Sequence, residues 1–172
     1  MALEYVASTG TPAGSFLEID NIPNTYNSLQ ITGAISCTGT TVGDCYFRFN
    51  DVTNSSYGWM YGGYRDNSSS STSYTKNSEG HFGRLPDDDM NVGFVYAPVY
   101  IEIFAYRGDQ PGHLGWYSLS SYADSSSSSQ CQFFTGFYDE SSTTDLSKIQ
   151  FITSQGAWDD DSVFHLYGRT TT

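Results

Sequence analysis

The amino-acid sequence predicts an all-β protein, an antiparallel β-sandwich of jelly-roll-like design with about ten strands. Three observations predict it. Apolar and polar residues alternate with a period of two along much of the chain. Turn-forming clusters recur about once per dozen residues. No segment holds a 3.6-residue apolar period through three turns. The composition agrees, with 14 Tyr, 11 Phe, 3 Trp and 17 Gly among 172 residues and only 15% charged residues. Flat aromatic side chains fit a pleated, half-buried surface, and Gly, Ser, Asn and Pro build the turns between strands.

Taken in order, strands are expected over 3–8, 15–20, 28–37, 44–50, 57–65, 92–106, 114–120, 130–138, 146–153 and 162–169. Leu29, Ile31, Gly33 and Ile35 share one face, with Gln30, Thr32 and Ala34 on the other. Phe47 and Phe49 oppose Tyr46 and Arg48, and Val99, Ile101, Ile103 and Ala105 oppose Tyr100, Glu102, Phe104 and Tyr106. Between these runs lie TPAG, NIPN, NDVTNSS, DNSSSSTS, LPDDD, RGDQPG, ADSSSSS, YDESSTT and QGAWDDD. The serine runs Ser68 to Ser71 and Ser125 to Ser129 read as surface loops. Pro98 falls inside a strand pattern, so that strand should be an edge or be bulged there. The pattern fits one domain over 1–172 with a short N-terminal arm, about residues 1–10. A chain of this length buries enough apolar surface to need no disulfide or metal.

Seven Lys plus Arg against nineteen Asp plus Glu give a formal charge of −12. Such a field repels phosphate backbones and anionic lipid, so neither nucleic acid nor membrane is an expected partner. The acidity suits solubility at high copy number or a partner with a basic surface. The first residues lack the basic start and apolar core of a signal peptide, and no run nears the roughly 20 apolar residues of a spanning helix, so the chain is expected to be soluble. The odd cysteine count argues against a disulfide framework. Cys37 and Cys45 flank the turn sequence TGTTVGD and could face each other across a hairpin.

Motifs that carry chemistry are sparse. His81, His113 and His165 lack metal-ligand spacing, and His165 sits in an alternating strand pattern where packing is the commoner role. Asp87, Asp88 and Asp89 follow a proline in one loop, and Asp159, Asp160 and Asp161 follow Trp158 in another. Oxygen ligands on loops suit calcium, but adjacent carboxylates point apart and the spaced DxDxDG pattern is missing. Solvated loops are the stronger reading, and calcium at Asp159 and Asp161 the weaker. Glu102, among apolar neighbours, is expected to be the outward residue of an edge strand. Trp59, Tyr61, Tyr64, Trp116 and Tyr117 suit a core or an oligomer interface better than a sugar platform. RGD at 107–109 reads as a turn. No cofactor and no catalytic residues are expected, and the chain reads as a non-enzyme.

Three stretches together resemble a β-sandwich module of tailed-phage virion proteins: SLQITGAI at 28–35, CYFRFNDVTNSSY at 45–57, and IQFITSQGAWDDDSVFHLYGR at 149–169. The matching positions are Phe47, Arg48, Phe49, Asn50 and Tyr57, then Ile149, Phe151, Ser162, Val163, Leu166, Tyr167 and Gly168. Asn50 and Asp51 should close a turn with their side chains, and Gly168 should end a strand at positive φ. The chain departs from the pattern where a glycine after Asn50 is lost and where the last loop reads AWDDDS. The middle, 58–145, matches only as generic strands.

The resemblance implies a virion protein made in the host cytoplasm, where thiols stay reduced. Its expected role is capsid decoration (cement), as a homotrimer bridging major capsid subunits on the capsid surface. The alternative is a tail-fibre or receptor-binding module gripping host glycan. A self-contained chain that enters a strand almost at once favours decoration. Contact candidates are Ala2, Leu3 and Tyr5, in an arm donated to a neighbour as a strand, together with Asp87 to Asp89 and Asp159 to Asp161 facing a basic capsid patch.

Overall fold

A computed structural model describes residues 2–12, 14–39, 42–54, 56–65, 68–85, 96–104, 113–123, 129–139 and 145–170; for 64, 65, 68–76, 113, 123 and 129 it describes the backbone alone. The strands are β1 (Ala2–Ser8), β2 (Phe16–Ile19), β3 (Ser28–Ile35), β4 (Gly43–Phe49), β5 (Tyr57–Arg65), β6 (Ser68–Asn77), β7 (Gly80–Leu85), β8 (Ala97–Phe104), β9 (His113–Ala123), β10 (Ser129–Asp139), β11 (Ile149–Thr153) and β12 (Val163–Thr170). They form an eight-stranded sheet, β1-β12-β3-β8-β9-β10-β5-β6, and a four-stranded sheet, β2-β11-β4-β7. Every recorded pairing between strands is antiparallel.

This is the predicted β-sandwich, and its connectivity is that of a jelly roll. Setting aside β1, β9, β10 and β12, the chain places β2, β4, β7 and β11 in the small sheet and β3, β5, β6 and β8 in the large one. The order β2-β11-β4-β7 against β3-β8-β5-β6 results, with the β9–β10 hairpin inserted between β8 and β5. The insertion and the two outer strands give the large sheet twice the width of the small one.

The core lies between the sheets and is built from alternate residues, as the period-two pattern requires. Leu29, Ile31 and Ile35 on β3, Phe47 and Phe49 on β4, and Val99, Ile101 and Ile103 on β8 all point into it. Rings carry the inter-sheet contact: Phe151 of β11 stacks on Phe164 of β12 at 3.8 Å, and Phe47 of β4 meets Trp116 of β9 edge-on at 4.9 Å. Burying each ring fully contributes about 1.5–3 kcal/mol.

The described residues form twelve strands where about ten were expected. Ser68 to Ser71 are strand, not loop, because β6 pairs along β5 from Tyr57↔Asn77 to Arg65↔Ser68. β7 escaped notice because a register shift against β4 between Cys45 and Tyr46 breaks the alternation that would have revealed it. β8 is neither an edge nor bulged. Pro98 is tolerated because it is the strand's second residue, paired to Ala34 of β3, and pairing to β9 begins one residue later at Val99. Cys37 and Cys45 do not face each other across a hairpin, since β3 and β4 belong to opposite sheets. Cys37 bridges to Trp158 instead, and both cysteines are buried and in no disulfide.

The N-terminal arm is a strand of the large sheet. β1 lies along β12 of its own chain, with partners from Ala2↔Thr170 to Ser8↔His165 and a bulge between Tyr5 and Ala7. Gly168 does not end its strand, which runs on to Thr170, and its φ is not positive. A Cβ there would sit 2.2 Å from the Tyr26 ring, so the glycine makes room for that ring.

Asn50 and Asp51 do turn the chain at positive φ, 50° and 59°. Asn50 Oδ1 accepts the backbone N–H groups of Ser147 and Lys148 at 2.9 and 3.0 Å, and its Nδ2 donates to the Asp145 carbonyl at 2.9 Å. Tyr57 and Phe49 close the same motif, because the Phe49 N–H donates to the buried Tyr57 phenol oxygen at 2.8 Å.

Candidate functional site: the outer face of the large sheet

One face of the eight-stranded sheet packs on the core, and among the described residues no element covers the other. On the uncovered face, β8 presents Tyr100, Glu102 and Phe104, and β9 presents Gly115, Tyr117 and Leu119. β10 adds Phe133, Thr135 and Phe137, and β5 adds Gly58, Met60 and Gly62. Five large apolar side chains stand exposed here: Met60 53%, Phe104 40%, Leu119 47%, Phe133 44% and Phe137 51%. Phe104 packs on Tyr117 at 5.5 Å, and Tyr117 stacks with Phe133 at 6.3 Å. The Phe137 ring lies across Gly58, close enough that a Cβ there would meet it at 2.3 Å. Scattered exposed apolar residues are ordinary; a contiguous group spanning four strands marks an interaction surface.

Glu102 sits at the seam between this apolar half and the more polar half formed by β1, β12 and β3. It is not the outward residue of an edge strand. β8 is interior to the sheet, and Glu102 is only 7% exposed. Tyr100 and Tyr117 donate to its Oε2 at 2.8 and 2.9 Å, and Arg169 Nη1 donates to Oε1 at 3.0 Å. Burial, with the hydrogen bonds to Tyr117 and Glu102 adding to it, pushes the Tyr100 phenol well above its ordinary value and keeps it a donor. Both carboxylate oxygens are thus engaged by protein donors, which fixes the outer-face side chains in place.

A second ionisable cluster was missed by sequence reading because β7 itself was missed. His81 is 2% exposed and packed against Trp59 at 4.6 Å, Phe134 at 4.4 Å and Tyr46 at 4.9 Å. Its Nε2 lies 2.9 Å from the Gly83 carbonyl, which fits the tautomer with the proton on Nε2, and 3.5 Å from Asp44 Oδ1. Arg84 Nε donates to the same Asp44 oxygen at 2.7 Å. Burial pulls the imidazole down to about 4, only partly opposed by the Asp44 charge. The ring is neutral near pH 7 and walled in by aromatic groups.

The sequence-predicted contact residues are distributed unevenly. Leu3 and Tyr5 remain exposed at 47% and 56% on the outer face, and Tyr5 meets Tyr167 edge-on at 5.8 Å. Asp87, Asp88 and Asp89 lie outside the described residues, as do residues 107–109. Asp159, Asp160 and Asp161 form a turn in which Asp159 Oδ1 accepts the Asp160 N–H at 2.8 Å and Ser162 N–H donates to the Asp159 carbonyl at 2.8 Å. Among the described residues no group of three or more His, Cys, Asp or Glu is placed to hold a metal ion. The charges of Asp159, Asp160 and Asp161, with burial the larger cause, push the neighbouring Tyr96 phenol upward.

Of the aromatics weighed for sugar stacking, Trp59 and Trp116 are core, at 7% and 1% exposure, and Tyr61 is half-buried. Tyr117 alone of those with a described side chain belongs to the outer face. A shallow depression of about 360 Å³ lies elsewhere, beside β2, lined by Gly10, Thr11, Phe16, Leu17, Glu18 and Gln150. Glu18 there is taken up by Gln150 and Lys148. No protein-family model, no curated protein and no solved structure matches this chain.

Proposed function

We propose that this protein is a non-enzymatic structural module of a tailed-phage particle, acting as a capsid decoration (cement) protein that assembles with itself and with the major capsid protein. The observation that carries the binding role is the exposed apolar face of Met60, Phe104, Leu119, Phe133 and Phe137. A soluble monomer gains nothing from such a surface, whereas an assembling one buries it. The phage assignment rests on the three resembling stretches. Two of their elements, FRFND with Tyr57 and the LYG run, have structural roles in strand closure and ring packing. Decoration stabilises a shell by mass action, since a ligand of the assembled lattice and not of free subunits favours the lattice.

The test uses particles of the phage that encodes the chain, made with and without it. Loss of the protein is expected to lower thermal and osmotic resistance while leaving adsorption intact, and purified protein added back should restore resistance. Unchanged resistance with lost adsorption would point to the receptor-binding alternative, for which the exposed Tyr5, edge-on to half-buried Tyr167, is an available ring for a sugar. Release of reducing ends from host glycan would overturn the non-enzymatic reading.

A further inference from the structure

We infer that the occupant of the apolar outer face is a second copy of this chain, packed sheet to sheet. The inference deepens the proposed function and rests on its reading of this face as the working surface. Charge is the first argument. The chain carries −12 overall, so two copies repel wherever their acids meet. Among the described residues no carboxylate lies inside the area bounded by Met60, Phe104, Leu119, Phe133 and Phe137; Glu102, at its β8 border, is 7% exposed and paired to Arg169, and exposed Asp139 lies at its margin, two residues beyond Phe137. A basic partner would find no charge to pair with here and would dock more favourably on the acidic remainder. A like-charged copy can approach through the centre of this face, where the described acids stand only at the border.

Relief is the second argument. A face that packs on itself must carry both projections and recesses, because the same patch serves both partners. Here Phe104, Phe133 and Leu119 project, while Gly62 and Gly115 are recessed beside them. Phe133 is paired to Gly62 across β10 and β5, yet its ring leans toward Tyr117, leaving nothing within 4 Å of where a Gly62 side chain would begin. Gly115 lies between Phe104 of β8 and Phe137 of β10 in the register, with its nearest non-neighbouring atom 4.0 Å away. Sheets that pack face to face sit about 10 Å apart and interdigitate large against small residues.

The experiment is analytical ultracentrifugation of the full chain over about a hundredfold range of concentration, at low and high salt. The wild type is expected to reach a mass of at least twice its 19.0 kDa, and salt is expected to strengthen association by screening the acidic repulsion. Leu119→Glu and Phe133→Glu should each weaken association by about a hundredfold or more, since each buries two like charges at the contact. Gly62→Gln, which fills the recess, should weaken it by about tenfold or more. All three sites are open to solvent in the single chain, so unaltered circular dichroism and melting will show that folding is intact. A wild type that stays monomeric throughout, or association that salt weakens or that the three variants leave unchanged, would overturn the inference. A monomer that still binds and protects phage shells would overturn only this inference, whereas an oligomer without effect on shells would overturn only the proposed function.

Discussion

Arg169 on β12 reaches across β3 to Glu102 on β8, its Nη1 donating to Oε1 at 3.0 Å. The two are separated by a whole strand, and Gln30 of that strand lies beneath the span, 3.5 Å from Arg169 Nη2. Arg169→Met leaves a nearly buried carboxylate with its two phenol donors but no cation. Breaking such a pair costs more than the pair is worth, because the remaining charge stays desolvated. Arg169 is itself 32% exposed, which reduces the effect. The expected loss is about 2 kcal/mol. Adding Glu102→Gln to Arg169→Met should recover part of it, since a neutral amide needs no cation. Urea unfolding of the two variants checks both signs.

Tyr57→Phe tests the closure of the FRFND strand. It removes one oxygen from a fully buried ring and leaves the Phe49 N–H without its acceptor. An orphaned buried donor costs about 1–3 kcal/mol, with little cavity term from so small a deletion. The urea midpoint should fall while the slope of the transition stays unchanged, because the surface exposed on unfolding is nearly the same.

Legibility in the sequence followed burial pattern. β3, β4 and the described part of β8 were legible as strands, since Leu29, Ile31, Phe47, Phe49, Ile101 and Ile103 alternate with residues of the other face. β6 was unreadable because its SSSSTS run pairs at a sheet edge with no apolar side chain to announce it. β7 was unreadable for the opposite reason, since Gly80, His81, Phe82 and Gly83 are all buried and do not alternate. The outer-face site was half legible. Its Phe and Tyr residues were visible as strand residues, but which face was left bare depends on the side against which the four-stranded sheet packs, a fact of tertiary structure. Glu102 misled for the same reason: an acid in an apolar run suggests an edge unless Arg169, sixty-seven residues away, is known to lie beside it.

Gly168→Ala addresses the residue whose role changed most between sequence and structure. A single methyl would sit 2.2 Å from Tyr26, a ring only 6% exposed and held over β12. The ring must shift, and overpacking of this kind costs about 1–3 kcal/mol. Were Gly168 needed for positive φ, a second change at Tyr26 would bring no relief. Because space is the issue, Tyr26→Leu combined with Gly168→Ala should cost less than the sum of the two single changes. Thermal melts of the three variants measure that coupling.

His81 makes stability depend on pH in the acid direction. Burial lowers its folded-state value to about 4 from an ordinary 6.5, against the pull of Asp44 and with Arg84 adding to the depression. A histidine depressed in the folded state binds a proton more readily when the chain is unfolded. Its neutral, packed form therefore favours folding fully above pH 6.5, and this contribution declines as pH falls from 6.5 toward 4. The linkage amounts to about 3 kcal/mol across that window. The difference between the protein and its His81→Gln variant is the quantity to measure, because it isolates the one group the substitution removes. The variant is expected to be less stable at pH 7, because it loses packing against Trp59 and Phe134. The gap should narrow steadily as pH drops to about 4, since only the protein carrying His81 must give up a buried neutral ring. Parallel stability curves would mean that the imidazole already takes up its proton in the folded state, with Asp44 as its counter-charge.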